Sequence, residues 1–152
     1  MPIRARVADD LKTAMLAGDA PRVSTIRMIL AKLKDADIAA RPKGVTEISE
    51  DEIVSALRGM AKSRRESVEL YKQGNRADLV AKEEAEIAVI EGYLPAEMDA
   101  GQLATIVDEA VLETGAAAPK DMGRVMAALK ARHGAALDMA RVGPLVKQRL
   151  GG

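Results

Sequence analysis

At 152 residues the chain has room for one ordinary domain or two small helical ones, and 48% hydrophobic content argues against a disordered chain. Aromatic residues make up 1%, and Cys is absent, which excludes a disulfide framework, a thiolate nucleophile and Cys-bound zinc. The 23 basic and 23 acidic residues cancel, so no overall charge directs the chain to a polyanion, and no run of roughly 18 apolar residues offers a membrane span.

The apolar inventory of Ala, Leu, Ile, Val and Met favours tightly packed helices over a β-sandwich. Ile3, Val7, Leu11 and Met15 recur at four-residue steps and predict a first helix over about 3–17, stopped by Gly18. Asp9 and Asp10 stand where a secretory signal would be apolar, so a soluble cytoplasmic protein is expected. Pro21 suits the first turn of a second helix, which carries Val23, Ile26, Ile29 and Leu33 and ends before Arg41-Pro42-Lys43-Gly44. Ser49 and Glu52 read as a capping box opening a third helix over about 50–73. Gly74-Asn75 is a stop and turn, and a fourth helix over about 76–91 then lies antiparallel to the third.

The stretch 87-IAVIEGYLPAEM-98 interrupts this pattern, because Pro95 disfavours the α conformation at Leu94 and Gly92 weakens the last turn. A new unit begins beyond it. Asp99 and Gln102 open a helix over 100–114, stopped by Gly115, and a helix over 121–132 follows Ala116-Ala117-Ala118-Pro119. Asp138 caps a last helix ending near Leu150, and Gly143-Pro144 inside it predicts a late start or a bend. No segment reads as a strand. The expected fold is all-α, with an N-terminal four-helix domain over 1–94 and a C-terminal three-helix domain over 95–152. Tyr93, Leu94 and Pro95 are expected to pack where the two meet, with the Tyr93 ring buried and its hydroxyl reaching a polar group.

Charge is segregated along the chain. Residues 76–115 hold two Lys and Arg against ten Asp and Glu, and residues 116–152 hold seven against two, a net of +5. Arg58, Lys62, Arg65, Lys72 and Arg76 form a stripe that suits either a phosphate backbone or the facing Glu83, Glu84 and Glu86. Arg64 falls inside the apolar stripe between Met60 and Val68, so its stem is expected to pack inward and its head to pair with Glu84 or Glu86. The tail's Lys120, Arg124, Lys130, Arg132, Arg141, Lys147 and Arg149 suit a phosphate-binding face or a solvated helix surface. No aromatic accompanies them, so nucleic-acid contact would read backbone rather than base.

Catalytic constellations are missing from the pattern. The lone His133 stands at a helix end, and no Gly-x-Ser-x-Gly or Gly-x-x-x-x-Gly-Lys motif occurs. A di-iron bundle needs two Glu-x-x-His pairs, and one His cannot supply them. Met122 and Met126 share a helix face and read as core.

The segments 22-RVSTIRMI-29, 63-SRRESVELYKQGNRADL-79, 83-EEAEIAVIEGYLP-95 and 114-TGAAAPKDMGRVMAALK-130 resemble, in order, the GatB/YqeY family. The Tyr-Leu-Pro stop and the Lys-Asp-Met-Gly-x-Val-Met segment are the most specific. The resemblance implies a small stand-alone bacterial protein whose residues from about 96 onward are similar to the tail of a subunit of the tRNA-dependent amidotransferase. That enzyme is a carbon–nitrogen ligase with glutamine as amide donor, and its catalytic parts have no counterpart here. The resemblance therefore implies a non-catalytic, tRNA-binding accessory protein without cofactor or metal, working near synthetase or amidotransferase components. Lys120, Arg124, Lys130, Arg132, Lys147 and Arg149 become its phosphate contacts. The alternative is a protein–protein adaptor whose basic tail docks an acidic partner surface.

Overall fold

The computed structural model describes residues 1–151, and those residues form seven α-helices joined by turns, with no strand among them. The helices are α1 (Ile3–Leu16), α2 (Ala20–Ala40), α3 (Glu50–Gln73), α4 (Ala77–Glu91), α5 (Ala100–Thr114), α6 (Met122–His133) and α7 (Met139–Arg149). They gather into two compact units, one spanning Met1–Leu94 and the other starting at Pro95.

Local chemistry sets most of these boundaries. Gly18 takes the left-handed conformation (φ +69°) that ends α1, and the Asp19 carboxylate accepts the Arg22 N–H at the start of α2. Ser49 and Glu52 form the expected box, each accepting the other's backbone N–H, and Asp99 and Gln102 repeat it before α5. At the α3–α4 turn the left-handed residue is Asn75 (φ 56°), whose short polar side chain tolerates that region. Helix α7 starts at Met139 and contains Pro144, so the proline is absorbed within the helix rather than delaying its start.

In the first unit α3 and α4 form the most extensive helix pair, followed by α1 and α2. Val7, Ile26, Ile29, Leu33, Leu57 and Ile90 are fully buried. Asp37 locks one end of this unit: it accepts two N–H groups of Arg4, at 2.9 and 3.0 Å, and the Ile48 N–H at 2.9 Å. Those bonds, the Arg4 one first, hold the Asp37 carboxyl below the usual carboxylate range. Tyr93 is 4% exposed and also meets this unit: its hydroxyl donates to Asp10 and the Arg6 guanidinium lies 5.2 Å from the ring centroid. In the second unit α5, α6 and α7 surround Leu103, Val107, Val125, Leu129, Val142 and Val146. Met122 and Met126 pack against that core, as the sequence predicts.

Candidate functional site

Three of the six tail cations are held in ion pairs. Arg132 donates to Glu113 on α5 at 2.5 Å, Arg149 pairs with Asp108 on the same helix, and Arg124 meets Asp121 at 3.3 Å. Lys120, Lys130 and Lys147 are exposed and without an ion pair among the described residues. Lys120 precedes the start of α6 and Lys130 lies in its last turn. The carboxylates of α5 belong to the same unit, which holds seven Lys and Arg against seven Asp and Glu. The +5 of the tail is thus neutralised within its own fold. Each exposed ion pair contributes only about 0–1 kcal/mol, but the field at a distance cancels.

Asp121, in the Lys-Asp-Met-Gly segment, does local work that its charge alone does not suggest. Its carboxylate accepts the N–H groups of Ala117 and Ala118 at 3.0 and 3.2 Å, which lowers its pKa, the Ala117 bond contributing most. The loop before α6 is therefore held by this aspartate. Its position three residues past a run of alanines was the available signal.

A second constellation lies in the first unit. Arg64 donates through Nε to Glu86 at 3.0 Å and through Nη1 to the Met60 carbonyl at 3.3 Å. Its Nη2 has the Met28 thioether at 3.5 Å as acceptor. The inward stem and the Glu86 partner are as expected. The second carboxylate is Glu83 rather than Glu84, with Oε2 at 4.0 Å from Nε and no hydrogen-bond partner of its own. Burial, then the charge of Glu86, pushes the Glu83 pKa up, against the opposing pull of Arg64. The cations beside Arg64 go elsewhere: Arg65 pairs with Glu91, Lys72 with Glu69 and Arg76 with Asp78.

Two carboxylates competing for one guanidinium make a measurable prediction. Because its folded-state pKa is raised, Glu83 contributes stability below its unfolded pKa that is lost as pH rises through the folded value. Glu83→Gln should therefore raise the melting temperature at neutral pH and give no gain in acid. Arg64→Ala should cost about 2 kcal/mol at neutral pH, since Glu86 is left without its partner, and less in acid. Melting curves at two pH values decide both.

Arg64 also borders an open groove along α2. One stretch of about 650 Å³ is lined by Met15, Val23, Ser24, Arg27, Met28 and Ala31. The next, about 680 Å³, shares Met28 and Ala31 and continues past Lys32, Ser55, Gly59 and Arg64. Met15, 54% exposed, stands at the α1 end. No sequence pattern announced this groove, which residues of separate helices create together. Among the described residues no group of three or more His, Asp or Glu is placed to hold a metal ion. No helix among the described residues is long and apolar enough to cross a membrane.

Comparison with known proteins adds names to this geometry. A family model described as "Yqey-like protein" matches residues 4–150. A Pyrenophora tritici-repentis protein, "Altered inheritance of mitochondria protein 41, mitochondrial", is 32% identical over 157 residues, covering 96% of this chain and 80% of its own. Proteins of the same name from Lachancea thermotolerans and Saccharomyces cerevisiae are 39% and 35% identical over 90 and 85 residues. Those matches cover 59% and 56% of this chain, and the chain spans somewhat under half the length of these two relatives, 46% and 44%. The expectation of a bacterial, cytoplasmic protein is overturned here: these relatives are eukaryotic and each carries the word mitochondrial in its name. Composition and charge carry no compartment label, which is why that expectation failed.

Proposed function

The chain belongs to the YqeY-like protein family, and from that premise we propose that it is a non-catalytic adaptor that works by binding a protein partner. The observation that carries this reading is the open groove along α2, together with the exposed Met15 that lines its end. Charge balance supports it, because neither unit offers a surplus of cations to a polyanion. The two units are proposed to be separately folding domains, four helices over 1–94 and three over 95–152. The relatives' names make the mitochondrion the compartment to test first.

The experiment is recovery of the full chain from cells that make it, with and without nuclease and at high salt. A protein partner retained in stoichiometric amount under both treatments is the expected result. Loss of everything bound on nuclease treatment would overturn the reading. The tRNA-binding reading keeps one specific support, the exposed and unpaired Lys120, Lys130 and Lys147. It requires tRNA affinity to fall with salt at a log–log slope of about −2 to −3, flattening when the three lysines become glutamine. The adaptor reading expects no retained tRNA at physiological salt.

A further inference from the structure

We infer that the groove along α2 receives an amphipathic helix whose flank carries acidic side chains, a partner chemistry that deepens the adaptor reading and rests on it. The dimensions come first. Along α2 the lining runs from Ala20 to Asp35, roughly 23 Å at 1.5 Å per residue, the length of a helix of about four turns. Helix-in-groove binding uses apolar anchors, and the exposed Met15 with the partly buried Val23 and Met28 line the groove to receive them, the two methionines as adaptable surfaces.

The far wall is built to let another backbone come close. Ser55, Gly59 and Ser63 recur every four residues on α3 and face Ala31 across the groove. Gly59 sits in the middle of a 24-residue helix, where glycine costs about 1 kcal/mol relative to alanine. A Cβ built there meets nothing within 4 Å, so the fold itself does not require the glycine. Space left open on a buriable wall suits an incoming helix, which packs closest over small residues.

Charge selects the kind of helix. Arg27 and Lys32 line the groove, and neither has an ion pair among the described residues. Between them and Arg64 the lining holds one acid, Asp35. The Arg64 Nη2 group has only a thioether as acceptor, a weak one for a cationic donor. A carboxylate from the incoming helix would supply the stronger, charge-assisted bond.

The test places a photo-crosslinking amino acid at Ser55 of the full chain, in cells that make it, and maps the products by mass spectrometry. Products are expected to converge on one segment with a helical apolar repeat and Asp or Glu on its flank. Gly59→Leu should lower the yield about tenfold, and Lys32→Glu severalfold. Helix content by circular dichroism shows that Gly59→Leu folds, and Ala31→Leu serves if it does not. Products on RNA, on a second copy of this chain or on a segment without acids would overturn the inference, as would an undiminished yield in Gly59→Leu or no product at all. If Ser55 gives no product while a nuclease-resistant partner is still recovered, the groove assignment fails and the adaptor reading stands. If no protein partner is recovered, both fall.

Discussion

Replacing Tyr93 with alanine is expected to destabilise the first unit by about 3–5 kcal/mol, the range for deleting a buried aromatic ring. Three contacts disappear together: ring burial at 4% exposure, the Arg6 guanidinium 5.2 Å from the centroid, and the hydroxyl bond to Asp10. Arg6 also donates to the Gly92 carbonyl at 3.1 Å, so the ring and its neighbour clamp the end of α4 onto α1. A thermal melt followed by the remaining Tyr71 should shift down by at least about 10 °C. Tyr93→Phe keeps the ring and its cation contact and should lose only about 1 kcal/mol. A melting point unchanged in Tyr93→Ala would show that the ring fills no required space.

The same hydroxyl gives a pH signature. Burial first, then the bond to Asp10, pushes the Tyr93 pKa up to about 12 from 10.0. The folded state holds this proton more tightly than the unfolded chain, so the stability it contributes is complete below about pH 10 and declines as pH rises towards 12. Tyr93→Phe should therefore lose less stability than the unaltered chain across that interval. Groups common to both proteins cancel in the difference.

What the sequence revealed depended on whether the deciding partner was local. Ser49 with Glu52 and Asp99 with Gln102 lie three residues apart, and the helix starts they imply agree with the structure. Arg64 was legible for a similar reason: helical spacing set it in an apolar stripe, and a short turn fixed which glutamates it could reach. Resolving Glu86 and Glu83 from Glu84 needed the helix pair itself, because one residue of register turns a side chain by about 100°. The partners of two tail cations were hidden for a different reason. Dividing charge at residue 115 separated Arg132 and Arg149 from Glu113 and Asp108, which the fold returns to them where α6 and α7 pack on α5. The groove was illegible because Ser55, Gly59 and Ser63 read in one dimension only as weak helix formers. They gain meaning when α2 stands opposite.

Leu129→Ala carries the second large effect, and it falls on the other unit. Leu129 is 1% exposed in α6 and packs with the valines of α5 and α7, so truncation should cost about 2–5 kcal/mol. A core in a unit of this size seldom supplies more than about 3–5 kcal/mol in total. The substitution is therefore expected to unfold the second unit outright rather than lower its melting point. Helices α5, α6 and α7 hold about a third of the helical residues, and circular dichroism should lose that share at low temperature. Both tyrosines of the chain, Tyr71 and Tyr93, lie in the first unit, so tyrosine fluorescence should keep its original transition. The two signals make the outcome unambiguous. If dichroism and fluorescence fall together in Leu129→Ala, the units melt as one cooperative body, and the separate-domain proposal is wrong. If only the dichroism falls, the first unit stands alone with its groove intact, and the crosslinking at Ser55 should persist in the same variant.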